Sequence, residues 1–108
     1  MNPTEHQIQQ LIMNYLTAKG WYVQRMNSGA IRVEKHLIRM ASVGTPDIMA
    51  FRPCPDVETT NPDLIFIEVK RPGKEATFNQ IQAMKLLTEH GAECLVAHSL
   101  EEVQEWLE

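Results

Sequence analysis

The chain has 108 residues, 44% of them hydrophobic, and a formal net charge of −4, which suits a single domain over 1–108 that buries one core without staples. Cys54 and Cys94 lack CxxC spacing and nearby zinc-ligand partners, and no stretch forms an export leader or reaches the roughly 18 apolar residues of a membrane span, so a reduced, cytoplasmic protein without a membrane partner is expected. The acidic balance argues against a nucleic-acid partner, but it hides an asymmetry: all ten Lys and Arg lie between Lys19 and Lys85, where seven acids leave +3, and six acids with no base follow Lys85.

From Thr4 to about Lys19, apolar residues recur at Ile8, Leu11, Ile12, Tyr15 and Leu16, the stripe of an amphipathic helix. Thr4 with Gln7 makes a capping box, and Gly20 a stop. Trp21 to Met26 reads as a strand ending at the turn Asn27-Ser28-Gly29. Ile31–Val33 and Leu37–Ala41 suggest a hairpin around Glu34-Lys35-His36, although Glu and Lys are poor tight-turn residues. After Gly44-Thr45-Pro46, the run Asp47-Ile48-Met49-Ala50-Phe51 fits a buried strand led by an acid. Arg52–Asp63, with three prolines and two Asp, is a loop.

Leu64–Lys70 is the strongest strand pattern in the chain, ended by Arg71-Pro72-Gly73. Thr77–His90 reads as a helix with Phe78, Ile81, Met84 and Leu87 as its apolar stripe and Gly91 just past its end. Glu93–Ala97 is a short strand, and Ser99 with Glu102 is a capping box for a last helix that buries Val103, Trp106 and Leu107. The order α-β-β-β-β-α-β-α predicts an α/β fold, a mixed β-sheet flanked by helices, in which the strands around the second helix run parallel.

The chemistry concentrates in Leu64-Ile65-Phe66-Ile67-Glu68-Val69-Lys70. Side chains alternate along a strand, so Glu68 and Lys70 share one face and Ile65, Ile67 and Val69 the other. A carboxylate at the end of a buried apolar strand is costly unless it is paired or holds a metal, and Asp47 repeats the pattern at the start of its own strand. Two carboxylates and one lysine suit phosphodiester hydrolysis: Asp47 and Glu68 hold Mg²⁺, and Lys70 positions or activates the attacking water. No Ser has the His and acid of a nucleophile elbow, and no GxGxxG or GxxxxGK loop suggests a nucleotide or other small-molecule cofactor. At about 100° per residue, Glu5 lies about 50° from the centre of the first helix's stripe, and Gln80 about 40° from that of the second, so both polar side chains turn inward.

Each of these features also has a plainer reading. An ExK triplet describes an exposed strand with a cross-face ion pair, and Asp47 after a proline describes a turn. Glu5 suits the first turn of any helix, Gln80 is the capping-box partner expected for Thr77, and Arg71 and Lys74 are by default solvated charges.

Gly44-x-x-Asp47 followed by Glu68-x-Lys70 at a strand end resembles the signature of the PD-(D/E)XK nuclease superfamily. Over almost its whole length the chain is similar to a stand-alone VRR-NUC (virus-type replication-repair nuclease) domain, through the Glu5 helix ending in Lys19-Gly20-Trp21, the Arg25-Met26-Asn27-Ser28-Gly29 segment, the Glu68-Val69-Lys70-Arg71-Pro72-Gly73 run, and Gln80 eleven residues before Gly91.

The resemblance implies a restriction-endonuclease-like core and a structure-selective DNA endonuclease of phage or bacterial cytoplasm. By its pattern, Asp47, Glu68 and the main-chain carbonyl of Val69 ligate Mg²⁺ or Mn²⁺. Lys70 is the catalytic lysine, and Glu5 and Gln80 are auxiliary site residues, Glu5 also on the metal side. It implies branched DNA such as a Holliday junction as substrate, and a homodimer. Ala83, where the family often carries an aromatic, and the long Arg52–Asp63 loop depart from the pattern and bear on substrate choice. The alternative is a non-catalytic nucleic-acid-binding or assembly module that keeps the fold.

Overall fold

The computed structural model describes residues 2–26, 30–33, 36–39, 44–53 and 64–108, with 30–33 and 36–39 described as backbone only. The turns expected at Asn27-Ser28-Gly29 and Glu34-Lys35, and most of the Arg52–Asp63 loop, lie outside the described residues.

Helix α1 (Glu5–Ala18) starts where the sequence places a cap: Thr4 accepts from Gln7 N–H, and the Gln7 side chain accepts from Thr4 N–H. Its buried face is Ile8, Ile12 and Leu16, each burial stabilising by about 1.5–3 kcal/mol. The helix ends in a Schellman motif, Trp21 N–H donating to Leu16 C=O and Gly20 N–H to Thr17 C=O, with Trp21 and Leu16 in the same core. Helix α2 (Phe78–Glu89) has the same two devices, a Thr77/Gln80 capping box and an Ala92 N–H to Leu87 C=O closure.

The strands are β1 (Tyr22–Arg25), β2 (Ala30–Val33), β3 (His36–Arg39), β4 (Ile48–Phe51), β5 (Leu64–Val69) and β6 (Glu93–Ala97), followed by α3 (Leu100–Leu107). Five strands thus precede α2, where the order read from the sequence has four, because both arms of the hairpin are extended. The hairpin β2–β3 forms its own antiparallel pair, and the main sheet has the order β1-β4-β5-β6. Pairing is antiparallel except between β5 and β6, which run parallel on either side of α2, the mixed sheet that the β-α-β order predicts.

One face of this sheet carries Ile48, Ala50, Ile65, Ile67, Val69 and Ala97, all packed with Ile8, Ile12 and Leu16 of α1 and Val103 of α3. On the other face α2 lies against β6, where Cys94 Sγ–H donates to Met84 C=O at 3.6 Å. Strand β5 is therefore buried on both faces, as its unbroken apolar run demands. Among the described residues no helix is long and apolar enough to cross a membrane.

Two local expectations change. Phe78 is 74% and Ile81 50% exposed, and the inward face of α2 is Gln80, Ala83, Met84 and Leu87. Residues three apart drift by about 60° around a helix, so the series Phe78, Ile81, Met84, Leu87 spirals from the solvent side to the core instead of marking one face. At α3, Ser99 caps Glu102 N–H as expected, but the Glu102 carboxylate accepts from His98 N–H at 2.8 Å rather than closing a reciprocal box.

Candidate active site

Strand pairing brings the two acids together. Ile48 lies opposite Ile67 in the antiparallel β4–β5 ladder, so one further step sets Asp47 across from Glu68, a relation that puts Cβ atoms about 4.5–5.5 Å apart. Asp47 Oδ2 accepts a hydrogen bond from Val69 N–H at 2.8 Å, which ties the head of β4 to the end of β5. Lys70 follows at the mouth of the strand, its own N–H donating to Ala97 C=O at 3.0 Å.

Glu68 is 2% exposed. Gln80 Nε2 donates to its Oε1 at 3.0 Å, while the buried Oε2 has no hydrogen-bond partner among the described residues. Burial first, then the charge of Asp47 and a hydrogen bond that a protonated Glu68 shares with Asp47, push its pKa up to about 8; Glu5 adds to the rise and Lys70 opposes it. The physical content is that two acceptors face each other in a dry corner. As a carboxylate, Glu68 needs either a proton or a cation between itself and Asp47.

Gln80 forms the capping box expected of it and also reaches Glu68. Its side-chain oxygen accepts from Thr77 N–H at 2.8 Å and its nitrogen donates to Glu68, so one amide caps α2 and orients the acid. What brings it there is Gly44: a Cβ on that residue would lie 2.6 Å from the Asn79 carbonyl oxygen. The turn before Asp47 and the first turn of α2 touch backbone to backbone.

Glu5, half-buried in the first turn of α1, bears on Glu68 through its charge. Among the described residues no group of three or more His, Cys, Asp and Glu side chains could hold a metal ion. The acidic centre that β4 and β5 assemble is the pair Asp47 and Glu68, with the Val69 main chain beside it.

No family model and no curated protein matches the chain. Two solved structures do. One, titled "VRR_NUC domain", is 18% identical, with 97% of this chain and 96% of that chain covered at a TM-score of 0.66. The other, "VRR_NUC domain protein", is also 18% identical, with 99% of this chain and 87% of that chain covered at a TM-score of 0.61. The fold is that of a VRR_NUC domain.

Within this VRR_NUC fold, sequence reasoning missed one polar cluster. His98, at the end of β6, is bonded through Nε2 to the Lys74 carbonyl at 2.8 Å and through Nδ1 to Glu102 Oε2 at 3.2 Å. Both partners are acceptors, so only the protonated ring satisfies both. The Lys74 carbonyl, then the Glu102 carboxylate, raise its pKa above the ordinary 6.5 against the opposing effect of burial. The i, i+4 pair His98 and Glu102 was visible in the sequence, but Lys74 is 24 residues away and no local pattern links it.

Proposed function

We propose that the chain is a metal-dependent endodeoxyribonuclease of the VRR-NUC family that hydrolyses phosphodiester bonds, with Asp47, Glu68 and Lys70 at its centre. The observation that carries this reading is the buried Glu68 Oε2, without a donor among the described residues and facing a second carboxylate. A paired oxygen-rich site of this kind suits a hard divalent ion. Asp47 and Glu68, with the Val69 main-chain carbonyl, would hold Mg²⁺ or Mn²⁺, with Glu5 adding negative charge behind them. Such an ion, when bound, supplies positive charge at the phosphate and makes a water more acidic.

The remaining work falls to the chain's own groups. Gln80 holds Glu68 in one orientation, and the Val69 N–H does the same for Asp47. Lys70, which stabilises the ionised form of Glu68, positions the attacking water and takes part in its proton transfer. The resemblance of the sequence motifs to VRR-NUC domains adds the finer reading, a structure-selective enzyme acting on branched DNA, including four-way junctions. Phe78 and Leu86, 74% and 57% exposed on the outer side of α2, support a homodimer through that face.

The test is cleavage of linear, nicked, flapped and four-way-junction DNA in Mg²⁺, Mn²⁺ or EDTA. The wild-type chain is expected to cut in either metal and not in EDTA, and Lys70→Ala to lose activity while keeping its circular dichroism spectrum. No cleavage of any substrate in either metal would overturn the reading and leave a binding module on the same fold. Gln80→Glu probes the orienting amide separately, because Glu keeps the capping box while replacing the donor to Glu68 with a third acceptor. Its cleavage rate is expected to fall roughly 10–100-fold, the equivalent of the ~1.5–3 kcal/mol carried by a hydrogen bond to a charged group, with unchanged helix content; an unchanged rate would remove Gln80 from the site.

A further inference from the structure

The strand that carries Glu68 and Lys70 runs straight into Arg71-Pro72-Gly73-Lys74. Lys74 N–H donates to Arg71 C=O at 3.0 Å, and Gly73 has φ +86°. With proline second and a positive-φ glycine third, this is a type II turn. It is also braced from outside: the Lys74 carbonyl accepts from His98 Nε2 at 2.8 Å, and the Glu102 carboxylate at the start of α3 accepts from His98 N–H at 2.8 Å. The turn therefore presents Arg71 and Lys74 on a frame fixed at both ends.

Beside this turn is a depression of about 280 Å³ lined by Asn2, Pro3, Thr4, Arg71, Pro72 and Lys74. Both its cations are exposed, and neither forms an ion pair with a described residue. Among the described residues no carboxylate lines it. Its far wall is the lead-in to α1, where the helix dipole favours negative charge. Its two walls continue directly into the acidic centre, since Arg71 follows Lys70 and Thr4 precedes Glu5, whose charge reaches Glu68.

We propose that this depression is a phosphate subsite: Arg71 and Lys74 bind a phosphate of the substrate strand next to the one hydrolysed at Lys70. The assignment rests on the nuclease reading for the identity of the strand, but the binding chemistry stands on the pocket itself. A preformed pair of cations beside the acids also offsets the repulsion that two carboxylates exert on an approaching phosphodiester. Arg71 suits bidentate contact with phosphate oxygens, and Lys74 adds a point charge.

The experiment is binding of the full chain to fluorescein-labelled DNA by anisotropy, in EDTA and over a salt series, so that no cleavage intervenes. Each phosphate contact contributes about 0.7–0.9 to the slope of log K against log salt. Arg71→Gln combined with Lys74→Gln is expected to lower that slope by about 0.7–0.9, the contribution of the one phosphate the two cations share, and to weaken binding equally across sequences. Lys19→Gln, about 20 Å away at the other end of α1, serves as the control and is expected to leave the slope in place.

Duplexes with hydroxyl ends and duplexes with 5′-phosphate ends distinguish the source. A slope change on both indicates an internal phosphodiester, a change confined to the phosphorylated ends indicates a terminal phosphate, and either supports the subsite. An unchanged slope in the double variant, or an equal change in Lys19→Gln, overturns it. Because the readout is metal-free binding, failure of the nuclease reading appears separately, as absent cleavage with the slope effect intact.

Discussion

Glu68→Gln is expected to abolish cleavage and, in the absence of divalent ions, to raise the melting temperature of the protein at pH 8. The folded chain holds the Glu68 carboxyl at a pKa of about 8, against an ordinary 4.5, chiefly because burial penalises the charge and then because Asp47 faces it. The folded state therefore binds this proton more tightly than the unfolded state. The stability it contributes is complete below pH 4.5 and is lost as pH rises through 8, at about 1.4 kcal/mol per pH unit. Between pH 5 and 8 the metal-free protein is expected to lose roughly 2–4 kcal/mol from this group.

A glutamine has no proton to lose. Its oxygen still accepts from Gln80 Nε2, and its amide nitrogen gives Asp47 the donor that Glu68 Oε2 lacks. The variant should therefore melt about 5 °C or more above wild type at pH 8, the shift that one or more kcal/mol produces in a domain of this size, and match it near pH 5. Mg²⁺ or Mn²⁺ should raise the melting temperature of wild type at pH 8, where the cation takes the place of the proton, and leave Glu68→Gln unmoved. In limiting metal, cleavage by the wild type is expected to climb with pH up to about 8, since the ion and the proton compete for one carboxylate. A variant that melts below wild type from pH 5 to 9, or a cation that stabilises both proteins alike, would contradict this account.

Gly44→Ala is the second large effect. Gly44 has φ +88°, and an added Cβ would lie 2.6 Å from the Asn79 oxygen, 2.8 Å from the Asn79 carbonyl carbon and 3.2 Å from Gln80 N. These are backbone atoms, which cannot rotate aside. The positive φ costs about 1–2 kcal/mol and the overlap about 1–3 kcal/mol, so urea denaturation should show a loss of roughly 2–5 kcal/mol.

The function should suffer beyond the stability. Relief of the clash moves the first turn of α2 outward, and Gln80 leaves Glu68 with it. Cleavage under conditions where the variant is fully folded is thus expected to drop at least as far as in Gln80→Glu, and the Gln80 side-chain amide protons should exchange faster. A variant within about 0.5 kcal/mol of wild type and fully active would mean that the Gly44 turn does not support α2.

What could be read from the chain alone is what depends on neighbours in sequence. Thr4 with Gln7 and Thr77 with Gln80 are reciprocal hydrogen bonds spanning three residues, and the closures at Gly20 and Gly91 are equally local, so helix ends were legible. The run Leu64–Val69 could only be a buried strand, and period two then set Glu68 opposite in face to Ile67 and Val69. The acid at the head of one apolar strand and the acid at the end of another could be named as a pair.

What the sequence left open is what depends on residues far apart in the chain. The antiparallel register of β4 on β5 decides that Asp47 meets Glu68, and among the described residues no donor reaches Oε2. The approach of Gly44 to Asn79 and the packing of α2 on β6 decide which side of α2 turns inward, because a helix bearing apolar residues at Phe78, Ile81, Met84 and Leu87 has no single hydrophobic face and its rotation is set by what it packs on. The same contact lets Gln80 cap its helix and hold the acid at once. The His98 link to Lys74 arises likewise when parallel strands lay the end of β6 beside the turn after β5. Hydrogen-bonding patterns within one turn are written in consecutive residues, whereas burial and charge proximity are properties of the assembled sheet, and the chemistry of this site resides in the latter.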